Sequence, residues 1–471
     1  MKMMDGERRN VGQRLHRERV AEMALYITND AVDAVCVFFA LSGLGMSWLH
    51  VPLREETLLS IIAKNVKRKA ENGKKSHAAL GTIVVEGYLS VKEGYRMFAL
   101  RSNILKSATV AWIAIISFAL AGCSEGSSVL ADGSEAAKQQ EKLVPEPDYW
   151  PTEAWRTAKP DERGMDGKKL TKILDGLPLK PIRSMVVVKD GYIVGEYYKE
   201  GNPEKEYEIN SVTKSITSAL VGIAIEEGKI GDIDDPVLNY FPKLAAEETD
   251  ADKKSITIAH LLSMTSGLDW PEWTEWNYFV EPMLNSKDWP AFVLQRSMER
   301  KPGDAFNYNT GGSQVLATIL KTTTGLSEYE YAKNKLFEPI GITRDLFWYG
   351  SPDGSNTGGF GLKMSSRDQA RFGFLYLHGG KWEDKQIVPA DWVTGSTSVH
   401  ADGVSLFGEY GYHWWVGSLA GERLYDAMGY GGQYIYVVPR RNLVVVFSSD
   451  SPEDSTLPQP IMREIIQAVK G

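Results

Sequence analysis

The chain has 471 residues, 43% of them hydrophobic and 24% charged, with a net charge of −8. That is the composition of an ordinary globular protein, and its acidity argues against a nucleic-acid surface, which needs clustered Lys and Arg. The two cysteines, Cys36 and Cys123, leave no disulfide framework, CxxC pair or thiol nucleophile downstream. Seven histidines without an HExxH-type spacing point to no metal site, and no cofactor is expected.

Residues 1–96 carry no recognisable motif, and no function is assigned to them. Through Lys106 the chain holds 17 Lys+Arg against 11 Asp+Glu, a net +6, which leaves −14 for the remainder of a chain whose total is −8. At Met97 a different pattern begins. Arg101 and Lys106 precede an apolar run over residues 107–120, and Leu120-Ala121-Gly122-Cys123 follows. A positive segment, a short apolar run and small residues before a cleavage point form a secretory leader. The run is short of the roughly 20 residues a membrane span needs. Its end resembles the lipobox of bacterial lipoproteins, which implies an acylated Cys123 as the mature N-terminus. Ser124 rather than Asp after the Cys implies the outer membrane, with the protein facing the periplasm. On this reading residues 97–122 are a leader, Met97 is the true start and 1–96 lie upstream of it. The alternatives are a short helix that happens to end in Cys, and a genuine basic N-terminal segment with a weak apolar stretch over 34–49. Residues 124–140 are small, polar and charged, as a tether is, and the linker is drawn over 123–150. About 350 residues follow Cys123, enough for one large domain or two joined lobes.

From 151 onward the chain reads as one domain. Residues 183–189 and 192–198 are β-branched and aromatic runs around Asp190-Gly191, a hairpin with a two-residue turn. Residues 211–227 are apolar around most of their circumference and predict a buried central helix that ends at Gly228. Residues 232–344 carry mostly helical periodicity and predict a helical lobe. Residues 366–377 predict a helix started by Ser365, with Asp368 at the capping-box position, that ends near Gly379. Strands are expected at 423–428, 433–438 and 443–448, then a helix after Pro460. Strands at both ends with helices between them predict an α+β fold. One antiparallel sheet is built from both ends of the domain, helices flank it, and the helical lobe is inserted in the middle.

Three stretches carry chemistry. Ser211-Val212-Thr213-Lys214 is an S-x-x-K at the start of the central helix, where i and i+3 share a face. A hydroxyl is a weak nucleophile that needs a partner to take its proton, and burial lowers the pKa of a lysine toward that use. Tyr308, on a loop before the apolar helix 315–320, can relay a proton to a leaving group. Tyr430-Gly431-Gly432-Gln433 opens a strand. Its glycines permit close approach of a substrate, and the Gln433 and Ser211 backbone N–H groups are the expected oxyanion hole. The aromatic loop 269–276, with Trp270 and Glu272, either lines the pocket or packs the lobe. Glu272 and Glu275 either meet a substrate amine or are simply solvated.

Together these motifs resemble the serine β-lactamase-like and penicillin-binding-protein-like hydrolases, in particular their class C-type, esterase and 6-aminohexanoate-dimer hydrolase branch. The similarity extends through residues 258–268, 361–373 and 410–415. It implies a β-lactamase/transpeptidase-like fold, Ser211 as acylated nucleophile, Lys214 as proton acceptor and Tyr308 as general acid and base. Two positions depart from the family. Thr310 stands where Y-x-N ends in Asn, and Tyr430 stands at the lysine of K-T-G. Loss of that cation points away from penicillins, which carry a carboxylate, and toward a small amide or ester. The expectation is therefore a serine hydrolase of the cell envelope, anchored by lipid at Cys123. The alternatives are a peptidoglycan DD-peptidase or weak β-lactamase, and a non-catalytic cell-wall-binding lipoprotein.

Overall fold

A computed structural model describes residues 144–470, apart from the side chains of 274–278, together with a two-residue antiparallel pairing of Val35–Cys36 with His50–Val51. The proposed leader 97–122, Cys123 and the rest of 1–143 lie outside the described residues. Among the described residues no helix is long and apolar enough to cross a membrane.

The domain begins earlier than expected. Residues 144–150 do not continue the tether. Val144 is buried in the core, and Trp150 packs edge-on against Phe374 and His378, with ring centroids 5.7 and 5.2 Å away. Helix α1 (Gly167–Gly176) follows, with Asp166 accepting from the backbone N–H groups of Lys168 and Lys169. The hairpin is β1 (Ile182–Lys189) and β2 (Tyr192–Tyr198), turning at Asp190 with φ 52° and Gly191 with φ 80°. Short strand β3 (Glu206–Glu208) leads to a 3-10 turn, Asn210–Val212, and to α2 (Thr213–Glu226).

The helical lobe comes next: α3 (Pro242–Glu247), α4 (Ala251–Lys254), α5 (Ile258–Leu262), α6 (Glu272–Asn285), α7 (Trp289–Leu294), α8 (Thr310–Thr324) and α9 (Glu328–Ala332). Strand β4 (Lys363–Ser365) pairs with β3 and enters α10 (Ser366–Leu377). The Ser365 hydroxyl both accepts from the Asp368 N–H and donates to its carboxylate at 2.8 Å, the expected start signal. After β5 (Lys381–Trp382), β6 (Lys385–Gln386) and α11 (Ala390–Ser396), the chain returns to the sheet. The returning strands are β7 (Ala401–Val404), β8 (Gly408–Tyr410), β9 (Trp415–Leu419), β10 (Glu422–Gly429), β11 (Gln433–Val438) and β12 (Leu443–Ser449). Helix α12 (Pro458–Ala468) closes the domain.

The sheet has eight strands in the order β2-β1-β12-β11-β10-β9-β8-β7, every pair antiparallel. The first and last strands of the domain are the second and third in this order, and they meet where Val186 pairs with Val446. Alternate residues of β1, β11 and β12 face opposite layers, because successive strand side chains point to opposite faces. Val186, Val188, Ile435, Val437, Val444 and Val446 pack with α2, α8 and α10. Met185, Val187, Tyr434, Tyr436, Val445 and Phe447 pack with α1 and α12. The result is the α+β, β-lactamase/transpeptidase-like architecture. The strands β7–β9 widen one edge beyond the expected set.

Strand β10 overhangs β9. Trp415, the first residue of β9, pairs with Asp426, so Ala427–Gly429 continue past the end of their neighbour. The end of that overhang, Gly429, lies against the turn that carries Ser211.

Helix α10 approaches the sheet through Gly373. A Cβ there would stand 2.7 Å from Cγ2 of Ile435 and 2.7 Å from Cγ1 of Val444. Gly373→Leu adds a good helix former but overpacks this contact. It should lower unfolding free energy by roughly 1–3 kcal/mol or more, read as a lower urea midpoint. An unchanged midpoint would show that the helix can move off the sheet.

Candidate active site

Ser211 lies in the 3-10 turn Asn210–Val212, two residues before the first residue of α2, and the S-x-x-K geometry survives the difference. The turn starts at Asn210, a non-glycine residue at φ 49°. That left-handed backbone is uncommon outside Gly, Asn and Asp. The Asn210 side-chain amide fixes it by donating to the Tyr430 carbonyl at 2.7 Å.

The Lys214 side chain is 1% exposed. Its Nζ donates to the Thr310 hydroxyl at 2.9 Å and to the Gly359 carbonyl at 3.0 Å, and stands 3.1 Å from Ser211 Oγ. Burial lowers its pKa to about 8, against a smaller opposing pull from the Glu272 carboxylate. The direction of each bond follows from its partners. Thr310 donates its one hydroxyl proton to Glu272 Oε1 at 2.6 Å, so it can only accept from Lys214. A carbonyl likewise only accepts. In the neutral amine both remaining N–H bonds are therefore spoken for, and the lone pair faces the Ser211 hydroxyl.

Glu272 holds the far end of this relay. Its Oε2 accepts from the Thr310 backbone N–H at 2.6 Å and from Trp270 Nε1 at 2.8 Å. The carboxylate is saturated from inside the protein and sits at the N-terminus of α8, where negative charge is favourable. It is therefore a positioning group turned inward, rather than one free to meet a substrate amine. Trp270 is fully buried beside Phe279 and Phe292 and packs the lobe, so the pocket-lining reading does not apply to it. The Glu275 side chain lies outside the described residues. Thr310, the departure from Asn, is the hydroxyl that connects Lys214 to Glu272.

Tyr308 is buried with its ring 4.8 Å from Lys214 Nζ. Burial raises its phenol above the ordinary range and the Glu272 charge adds to this, while the Ser211 hydroxyl beside it pulls the other way. The proton is thus held on the oxygen, ready to be donated. Trp273 flanks the ring at 5.0 Å, and Trp415 lies nearly parallel to it at 6.3 Å. Trp273 is half exposed and also stacks on Phe407. It forms the aromatic wall expected of the 269–276 stretch, but from the first turn of α6 rather than from a loop, three residues beyond Trp270.

His413 is the functional neighbour that sequence reasoning passed over, although it falls within the similar stretch 410–415. Its pKa is lowered to about 3, mainly by burial, so the ring is neutral. Nδ1 lies 3.0 Å from the Lys214 carbonyl and must donate to it. Nε2, 3.2 Å from Ser313 Oγ, then accepts. The His413 carbonyl accepts from Ser215 Oγ at 2.6 Å. The ring and its backbone therefore clamp the first turn of α2.

Gln433, expected to supply the second oxyanion N–H, is not the residue beside Ser211. The backbone seated on the turn that carries Ser211 is the end of β10. A Cβ on Gly429 would stand 2.5 Å from the Ile209 carbonyl oxygen and 3.0 Å from the Ser211 nitrogen. The turn through Gly431 (φ 77°) and Gly432 (φ 84°) carries Gln433 one strand further away, with its amide donating to the Ser449 carbonyl at 2.8 Å. Tyr430 is 62% exposed, its carbonyl aimed at Asn210. The backbone that meets the Ser211 turn just beyond Gly429 is therefore that of Tyr430, through its carbonyl, rather than that of Gln433. Gly431 and Gly432 shape that turn. The overhanging residues Ala427-Met428-Gly429 also carry no cation. Lys363 sits over the Phe347 ring at 4.9 Å, and Arg367 pairs with Glu196 at 2.9 Å.

The family model for beta-lactamase matches residues 183–466. The chain belongs to the beta-lactamase family. It is 28% identical over 296 residues to the 6-aminohexanoate-dimer hydrolase of Paenarthrobacter ureafaciens, covering 58% of this chain and 74% of that protein. A structure of an octameric penicillin-binding protein homologue from Pyrococcus abyssi aligns over 64% of this chain and 78% of its own, with TM-score 0.50 and 23% identity. A family VIII carboxylesterase structure aligns over 65% of this chain and 98% of its own, with TM-score 0.51 and 17% identity. At those identities the two structures speak for the fold alone.

The Lys214 environment predicts the pH dependence of any base-assisted step at Ser211. Below pH 8 the amine is protonated and cannot accept the serine proton, so kcat/KM should climb as pH rises through about 8 and then level. Glu272→Gln removes the charge that holds the proton on Lys214, so the climb should move to lower pH. A limb that stays in place in Glu272→Gln would show that the carboxylate does not act on Lys214.

Proposed function

We propose that this protein is a serine hydrolase that forms an acyl-enzyme on a small amide or ester. The observation that carries this reading is the buried Lys214 amine, whose other hydrogens are committed and whose lone pair faces Ser211 Oγ at 3.1 Å. A protein that only bound ligand would gain nothing from a desolvated lysine beside a serine.

In the proposed reaction Lys214 takes the Ser211 proton as Oγ attacks the acyl carbon. The developing oxyanion accepts from the N–H groups of Ser211 and Tyr430, each such donor worth about 10²–10³ in rate. Tyr308 gives its proton to the departing nitrogen or oxygen and recovers one from the serine–lysine pair. Water then attacks the ester carbonyl, loses a proton to the same base and releases the acid. No cofactor is required for these steps. The missing cation beside Gly429 removes a charge-assisted bond to a substrate carboxylate, worth roughly 1.5–3 kcal/mol or about 10- to 150-fold.

Ser211→Ala should abolish fluorophosphonate labelling and turnover of a short-chain p-nitrophenyl ester, with the fold unchanged by circular dichroism. The native enzyme should turn over benzylpenicillin with a kcat/KM at least about tenfold below that for the ester. Retained activity in folded Ser211→Ala removes Ser211 as nucleophile. A penicillin rate equal to the ester rate favours the β-lactamase reading.

We also propose that the chain works at the bacterial cell envelope, held at the membrane by lipid on Cys123. This rests on the Leu-Ala-Gly-Cys sequence after a short apolar run. Mass spectrometry of the membrane fraction from a bacterial host should find a lipidated N-terminal Cys123. A tryptic peptide running unmodified from residues 107–120 through Cys123 would overturn it.

A further inference from the structure

Tyr308 belongs to a cluster of aromatic rings that runs from the core to the surface. The ring centres of Phe306, Tyr308, Tyr410 and Trp415 all lie within 6.5 Å of one another. Phe407 joins Trp415 at 5.4 Å. Trp273 closes the outer side, 5.0 Å from Tyr308 and nearly parallel to Phe407 at 5.9 Å. Tyr410 and Trp415 are 1% and 2% exposed, whereas Trp273 is 52% exposed.

A tryptophan left half in water forgoes much of the burial that its size could gain. Its neighbours come from both halves of the domain. Trp273 stands in the first turn of α6 in the lobe, and Phe407 in the turn between β7 and β8 at the edge of the sheet. Phe407 is only partly buried, and Leu406 beside it is largely exposed. The lobe and the sheet thus bring an open apolar wall together next to Tyr308. Ser211 is also partly exposed, so the nucleophile can be reached from solvent.

The chemistry at Tyr308 decides which part of a substrate meets this wall. In the reaction proposed above, the phenol gives its proton to the departing nitrogen or oxygen. The group carried by that atom therefore lies beside Tyr308 as it leaves, and the open ring flanking Tyr308 is Trp273. An indole and a phenyl ring offer apolar faces and no charge. Rings bind such faces edge-on or offset, with a gain beyond the area they bury.

We propose that Trp273 and Phe407 form a subsite for an aromatic ring on the leaving group. The substrate class is then an aryl or arylmethyl ester or amide, with the ring close to the atom that departs. The assignment to the leaving group rests on the hydrolase reading above. A ring-binding surface at Trp273 does not.

Two measurements on the whole protein test it. Benzyl acetate and methyl phenylacetate are isomers that carry the ring on opposite sides of one ester bond. The ratio of their kcat/KM values reads the leaving-group side, because a general loss through Tyr308 cancels. Trp273→Ala should lower the ratio of benzyl acetate to methyl phenylacetate by about tenfold or more. Trp273→Phe should keep most of it. Phe407→Ala, on the other half of the domain, should lower it in the same direction and serves also if Trp273→Ala does not fold. In the second measurement, saturation-transfer NMR of benzyl alcohol needs no turnover. Its ring protons should contact the native protein and lose most of that contact in Trp273→Ala. A ratio that stays or rises in the folded variants, or benzyl alcohol contact that is equal or absent in the two proteins, overturns the proposal. If neither ester is hydrolysed while benzyl alcohol contact depends on Trp273, the ring subsite stands and the hydrolase reading falls.

Discussion

The structure turns on taking one amine out of water. Lys214 is buried at the base of α2, and a buried ammonium would be untenable without partners. The Gly359 carbonyl and the Thr310 hydroxyl supply them, and the Glu272 carboxylate fixes the hydroxyl's direction. The lobe and the sheet layer must both be in place for this to happen. Lys214 is carried by a helix on the sheet, and Thr310 and Glu272 belong to the inserted lobe. The site is therefore a joint between the two halves, and it exists only when they are docked.

The same constraint explains residues that touch no substrate. His413 clamps the first turn of α2 through the Lys214 carbonyl and the Ser215 hydroxyl. Asn210 ties the turn that carries Ser211 to the residue just beyond β10. Glu328, fully buried on α9, accepts from the Thr217 hydroxyl at 2.6 Å one turn along α2, and burial raises its pKa to about 8. Each bond removes a freedom from the helix that presents Ser211 and Lys214. This kind of positioning is what preorganised catalysis requires.

Much of this was legible in the residues. The hairpin, α10 and the last three strands announced themselves through Asp190-Gly191, the Ser365 cap and near-continuous β-branched runs. S-x-x-K is a weak signal by itself, and Ser211, Lys214 and Tyr308 stood out because the helix after Ser211 is almost wholly apolar and the three motifs occur together, in the order of one family. The strands β7–β9 did not stand out, since ADGV, GEY and WVGSL are short and lack alternation. The oxyanion assignment slipped by one strand because the Gly431-Gly432 turn is invisible as a reversal until its positive φ angles are known. Trp270 and Trp273 could not be told apart by type. Only packing shows one sealed in the lobe and the other beside Tyr308. The role of Glu272 was hidden for the same reason, since its partners are 38 residues downstream.

The pairing of β1 with β12 joins Val186 to Val446, 260 residues apart. Contacts so distant in sequence make folding slow. During synthesis at roughly 5–20 residues per second, β1 waits on the order of ten seconds or more for its partner strand to exist. Throughout that interval the β1 edge of the hairpin β1–β2, with its apolar stretch Met185-Val186-Val187-Val188, lacks the strand that pairs with it in the folded protein. A nascent chain of this design is at its most aggregation-prone before its last strand emerges, so shortening the chain at its end harms it more than lengthening the lobe in its middle.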